Sequence, residues 1–237
     1  MDAAMYKALS GAVVEMRRLE TASQDLANIN TAGYKAQRLA FSEVLAKRVP
    51  PEDRPGGFVA VAGQRTHLHQ GAIEGSGNPF HLALEGDGYF VIQTPRGERY
   101  TRNGSFTLRA DGTLITPGGD AVLGEGGPIL LSGATMAVSA DGAVRSDNNE
   151  IGKLRLVRFN DGAKAEKEGA HLFRSDGANI TDASAARVVQ GHLEQSNVGA
   201  VDSMVSLIAI NRNFESYQRA MKLLDSVTEK MLSDSAR

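Results

Sequence analysis

Cysteine and tryptophan are both absent from these 237 residues. Without cysteine the chain has no disulfide, no thiolate metal ligand and no cysteine nucleophile. Its compartment stays open, because a reducing cytosol and an oxidising exterior both suit a thiol-free chain. Aromatic residues make up only 5 %, which argues against a carbohydrate- or peptidoglycan-binding β module with an aromatic groove. Charge of one sign is also lacking. The 26 Lys and Arg stand against 28 Asp and Glu, a formal net charge of −2. Nucleic acid is therefore not an expected partner. No apolar run is long enough to span a bilayer, so membrane insertion is not expected. The first residues, Met1-Asp2-Ala3-Ala4-Met5-Tyr6-Lys7, lack the basic-then-apolar order of a cleaved signal peptide.

Glycine and proline are scarce at both ends. Only Gly11 and Gly33 fall in the first 50 residues, none follows Gly199, and every proline lies between Pro50 and Pro128. These residues interrupt regular structure most strongly, so the ends are free to be helical while the middle turns often.

The N-terminal segment reads as a helix from Asp2 to about Asn28. Met5, Leu9, Ala12, Met16, Leu19, Ser23 and Leu26 alternate spacings of four and three, a heptad seam. Asn and Gly in Asn28-Ile29-Asn30-Thr31-Ala32-Gly33 suit a left-handed stop. The C-terminal segment repeats the device with Leu207, Ile210, Phe214, Tyr217, Met221, Leu224, Thr228 and Met231. Ser196 or Asn197 is the expected N-cap. Long helices with thin apolar stripes are marginal alone, so these ends call for partners, either each other or neighbouring subunits. The plainer reading is an amphipathic helix lying on a globular core.

The middle reads as β. Asp-Gly pairs at 87–88, 111–112, 141–142, 161–162 and 176–177, with Asn103-Gly104, mark tight turns. Strand candidates between them are Tyr89–Thr94, Glu98–Arg102, Ser105–Arg109, Thr113–Thr116 and Lys153–Phe159. Phe106 and Leu108 alternate with polar neighbours, as in a strand with one buried face.

Candidate chemistry is sparse. His67-Leu68-His69 with His81 supplies imidazoles but announces no third ligand in an ordered shell. Gly75-Ser76-Gly77 and Gly86-Asp87-Gly88 look like phosphate loops, yet neither opens a helical pattern. The Asp-Gly spacings share no period, so calcium repeats are not expected. No Gly-x-Ser-x-Gly elbow and no paired-carboxylate site is visible. Catalytic, cofactor and metal residues are therefore expected to be none, and a peptidoglycan hydrolase is disfavoured.

Ala27-Asn28-Ile29-Asn30-Thr31-Ala32-Gly33-Tyr34-Lys35 resembles the signature that follows the N-terminal helix in the axial (rod and hook) proteins of the bacterial flagellum. The motif positions are Ala27, Asn28, Asn30, Thr31, Gly33, Tyr34 and Lys35. The stretches Gly86–Val91 and Tyr100–Phe106 are similar to the family's β domain, and Gln195–Val198 with Asn211–Glu215 to its closing helix. Residues 93–104 are most similar to the proximal rod type, with the distal rod type as the alternative. Ser23–Asn28 departs from the commoner Ala-Asn-Asn-Leu-Ala-Asn.

That resemblance implies a structural subunit of the basal-body rod in the periplasmic space, exported by the flagellar type III apparatus without a cleaved signal. Its partners would be other rod proteins and copies of itself. The expected fold class is α+β: long terminal helices pair as a coiled coil, the inner-tube domain, around a central all-β domain. Residues 1–46 and 196–237 would form the helical domain, 47–74 an extended connector and 75–195 the β domain. The assembly seam would be Met5, Leu9, Met16, Leu19 and Leu26 against Leu207, Ile210, Phe214, Tyr217, Met221, Leu224 and Met231.

Overall fold

The computed structural model describes residues 2–44, 58–133, 135–147, 149–160, 165–175, 180–183 and 185–235. Two compact units divide the chain. One comprises Met1–Ala27, Gln37–His67 and Gly199–Arg237, the other Asn28–Ala36 and Leu68–Val198.

In the first unit, α1 (Asp2–Ala27) and α2 (Ala200–Ser235) accompany a hairpin of β1 (Gln37–Val44) and β2 (Phe58–Thr66). At 26 and 36 residues the helices run roughly 39 and 54 Å. The expected caps do not start α2. Ser196 Oγ accepts from Val198 N at 3.3 Å and Asn197 Oδ1 from Ala36 N at 2.7 Å, so both side chains are engaged before the helix begins. Gly199 opens it instead, its carbonyl accepting from Ser203 N at 3.0 Å. Asp202 in the first turn complements the positive end of the helix dipole.

Both long helices are present, but the coiled coil expected of them is not. Knobs-into-holes packing needs large residues at the seam of both partners. On α1 the buried positions are Ala8, Ala12, Val14, Glu15 and Asp25, whereas of the expected seam Met5, Leu9 and Met16 are exposed and Leu19 and Leu26 only half-buried. Gly11 marks how closely α2 approaches: a Cβ there would lie 2.5 Å from Cε1 of Tyr217. The physical reason is that α1 serves two neighbours. It packs against the hairpin as well as α2, with the Asp25 carboxylate accepting from Gln37 N at 3.3 Å and Arg18 4.9 Å from the Phe41 ring centroid. A face shared between a helix and a hairpin follows neither heptad nor single stripe.

Part of the expected connector, 47–57, lies outside the described residues. Beyond it the same stretch carries β2 and reaches β3 (Ile73–Gly75). β2 runs antiparallel to β1 from Gln37↔Thr66 to Val44↔Phe58, with a register shift between Ala40 and Phe41.

The second unit is built on β4 (Leu82–Glu85), β5 (Tyr89–Thr94) and β6 (Gly97–Thr101). β5 pairs antiparallel with β6 on one side, and with Ala121–Gly124 and Leu156–Phe159 on the other. Successive side chains of a strand point to opposite faces, and in β5 both faces are buried. Phe90 and Ile92 enter a cluster with Leu82, Phe106, Leu114 and Val122. Tyr89 and Val91 enter a second with Tyr100, Val157 and Phe173. Edge-to-face rings hold both, Phe90–Phe106 at 5.1 Å and Tyr89–Phe173 at 5.5 Å.

Of the expected turns, Asp111-Gly112 and Asp141-Gly142 have positive φ at glycine, 84° and 87°. The pairs at 161–162 and 176–177 lie outside the described residues. Asn103-Gly104 does something else. A Cβ on Gly104 would sit 1.6 Å from the Leu82 carbonyl oxygen, so glycine there permits close backbone approach rather than an unusual φ.

Candidate assembly site

Each helix of the first unit carries a second apolar face. On α2, Val201, Met204, Val205 and Ile208 are 52 to 73 % exposed, and their spacing of i, i+3, i+4, i+7 places them on one side. On α1, Met5, Leu9, Val13 and Met16 are 43 to 48 % exposed. Large side chains clustered this way and left in water are the mark of an interaction surface. The stripe anticipated on α2 lies elsewhere on that helix. Leu207, Ile210, Phe214, Tyr217, Met221 and Leu224 are half-buried along one face, and the Met231 side chain lies outside the described set. Val201, Met204, Val205 and Ile208 were not singled out from sequence. Their pattern was legible as a further i, i+3, i+4, i+7 series, masked by the heptad beside it.

In the second unit the last motif residues, Gly33, Tyr34 and Lys35, form a buried plug. Thr31 closes a turn on Asn28, through its backbone N to Asn28 O at 3.1 Å and its hydroxyl to Asn28 Oδ1 at 3.2 Å. Gly33 then takes φ +68°, where a Cβ would meet Asn103 N at 2.3 Å. Beyond it Tyr34 and Lys35 are wholly buried. The Lys167 ammonium stacks 3.3 Å from the Tyr34 ring centroid and donates to Lys35 O at 2.7 Å. Asn30 is exposed, and Ala27 ends α1.

Lys35 reaches an ion cluster that sequence reading missed. Its Nζ donates to Glu194 Oε1 at 2.5 Å and to His69 O at 2.6 Å. Arg102 donates to Glu194 Oε2 at 3.0 Å and to the carbonyls of Leu84 at 3.3 Å and Gly86 at 2.5 Å. Glu194 Oε1 also accepts from Gly71 N at 2.9 Å. The side chains of Lys35 and Glu194 are 0 % exposed and that of Arg102 2 %. Such a cluster persists because nearly every polar atom is hydrogen-bonded; Arg102 Nε has no partner. Burial pulls the Lys35 ammonium below the ordinary lysine range, against the attraction of Glu194. Burial also pushes the Tyr89 phenol up to about 12, and the Arg102 guanidinium lies 5.2 Å from its ring centroid. Nothing in the sequence pairs Glu194 with residues 92 and 159 positions away, which is why only Lys35 was singled out.

The histidines serve structure. His81 hydrogen-bonds Ser76 Oγ at 2.8 Å and Asn78 at 3.3 Å, and the His69 carbonyl accepts from Lys35. Among the described residues no His, Cys, Asp and Glu group has the arrangement to hold a metal ion, and no helix is long and apolar enough to cross a membrane.

Two family models match the chain: the flagellar hook protein FlgE/F/G D1 domain over residues 83–146, and the flagellar basal body rod FlgEFG protein C-terminal over 189–234. The chain is 35 % identical to the flagellar basal-body rod protein FlgF of Caulobacter vibrioides, over 100 % of this chain and 97 % of that one. To FlgF of Salmonella typhimurium it is 31 % identical over 97 % and 95 %. To the rod protein FlgG of Bacillus subtilis it is 28 % identical over 97 % of each.

Proposed function

Because this chain belongs to the FlgF family of flagellar basal-body rod proteins, and is thus a structural subunit of the rod, we infer that it assembles through the exposed apolar faces of its two helices. The observation that carries this reading is the pair of unlike faces on one unit, Met5–Leu9–Val13–Met16 on α1 and Val201–Met204–Val205–Ile208 on α2. Unlike patches make a heterologous contact, which propagates head to tail instead of closing as a two-fold dimer does. These side chains are already partly covered, so burying what is left exposed stabilises by roughly 1 kcal/mol each. Leu207, Ile210, Phe214, Tyr217, Met221 and Leu224, half-buried in the single subunit, complete their burial in the polymer.

On this reading the terminal segments 1–46 and 196–237 are the assembling part, and 75–195 a β domain with its own core. Partners are other rod proteins in the basal body and further copies of this chain. The flagellar type III apparatus exports it to the periplasmic space. No catalytic role is proposed, since the buried ions are engaged with one another.

The test is Ile208→Asp in the chromosomal copy, with peptide mass spectrometry of purified basal bodies. Ile208 is 56 % exposed, so the free subunit should keep its stability within about 0.5 kcal/mol. Loss of the chain from rods and loss of swimming are expected. Normal incorporation of the variant would refute the assignment.

A further inference from the structure

The β unit is entered and left by the chain at places far apart in sequence: residues 28–36 run through it, Leu68 re-enters it and Val198 leaves it. Each place has a buried or hydrogen-bonded residue beside it, and all lead to one side chain. The Glu194 backbone oxygen accepts from Gly33 N at 2.7 Å, and its carboxylate accepts from Lys35, Gly71 and Arg102. Flanking bonds follow the same three segments. Gln195 N donates to Ala72 O at 2.7 Å, and Asn197 joins Ala36 N at 2.7 Å and His69 O at 2.9 Å. The short strand His192–Glu194 pairs with β3, which fixes where the carboxylate points.

We propose that Glu194 is the positioning residue that gathers three of the four places where the chain enters or leaves the β unit, all but Asn28, into one fixed root. The hydrophobic clusters do not require it: none of their members belongs to segments 33–36, 69–72 or 194–197. What it holds is polar and peripheral to the core yet buried. A carboxylate suits the task because it accepts several hydrogen bonds at once from different directions, and because two cations left inside without it would be heavily penalised. The root closes only when residues 192–197 arrive, since Lys35 and Arg102 otherwise have no carboxylate between them.

This inference rests on the fold and not on the rod reading, and the purified full-length chain tests it. Backbone hydrogen exchange is compared between the native chain and Glu194→Gln, which keeps the shape but loses the charge and one acceptor. Gly71 and Ala36 amides should exchange roughly 10- to 100-fold faster, while those of Val91 and Ile92 in β5 keep their rates. Unchanged exchange at Gly71 and Ala36 would overturn the proposal. So would equal acceleration at Val91 and Ile92, which would make Glu194 a general stabiliser. If Glu194→Gln fails to fold, Lys35→Met, which retains the Glu194–Arg102 and Glu194–Gly71 bonds, reads the same root. It should speed exchange at Ala36 and leave Gly71 alone, and no change at Ala36 would overturn the proposal too.

Discussion

Replacing Gly104 with alanine adds one carbon, yet it should be among the most damaging single changes in the β unit. The new Cβ would lie 1.6 Å from Leu82 O and 2.7 Å from Leu82 C. An ordinary carbon–oxygen contact is about 3.3 Å, so the two backbones must part by roughly 1.7 Å. That separation breaks the Leu82 N–Gly104 O hydrogen bond, now 3.0 Å. Leu82 is fully buried, and a buried N–H stripped of its acceptor costs about 1–3 kcal/mol. Leu82 and Phe106 belong to the same cluster and withdraw with the backbone, losing about half of a Leu burial each, roughly 1 kcal/mol apiece. The sum is about 4 kcal/mol, or a fall in Tm of roughly 8–16 °C for a chain of this size. Thermal unfolding followed by far-UV circular dichroism measures it. The control is Gly126→Ala, where nothing lies within 4 Å and φ is not positive, so its Tm should hold. A Gly104→Ala protein melting with the control would refute the close-approach argument.

Three further outcomes can be checked. Tyr89, raised to about 12, keeps its proton in the folded chain where an unfolded tyrosine releases it near pH 10. The folded state binds more protons between those values, so the stability involved, roughly 3 kcal/mol, is present below pH 10 and lost as pH rises through 12. Ultraviolet titration should show Tyr89 ionising together with unfolding, and Tyr89→Phe should shrink that step by one tyrosine. Arg102→Met removes one cation from the buried cluster and takes its donor from the Gly86 carbonyl, while Leu84 O keeps the bond from Gln70 Nε2 at 2.7 Å. Urea unfolding should show a loss of about 3–5 kcal/mol. Phe90→Ala, at a wholly buried position, should cost about 3–5 kcal/mol by the same assay, with the β unit melting earlier.

Sequence periodicity located the elements that obey one partner and failed where a residue answers to two. β5 lies where a short apolar run after the Asp87-Gly88 turn signal places it, but its two-sided burial depends on Leu156–Phe159 and Phe173 arriving from later in the chain. The apolar stripe of α2 is plain in its spacing. That of α1 misled, because Gly11 and Ala12 meet α2 closely and leave Leu9 and Met16 outside. Small residues at a helix contact look like gaps in a pattern when read one helix at a time. The pairing of Gln37–Val44 with Phe58–Thr66 escaped notice because the prolines and glycines between them in sequence read as an extended connector. The Lys35–Glu194–Arg102 cluster left no local trace at all, since charge pairing across such separations exists only in three dimensions.

Lys35 and His69 are joined by a direct hydrogen bond, so the chain between Ala36 and Leu68 departs from and returns to nearly the same point. The two ends of the excursion are thereby fixed within the β unit, whatever length of chain runs between them. With the ends held, residues added to the link between β1 and β2 cost loop-closure entropy, and even doubling a flexible loop costs only about 0.6 kcal/mol. That link is accordingly the place where added residues should leave the β core intact.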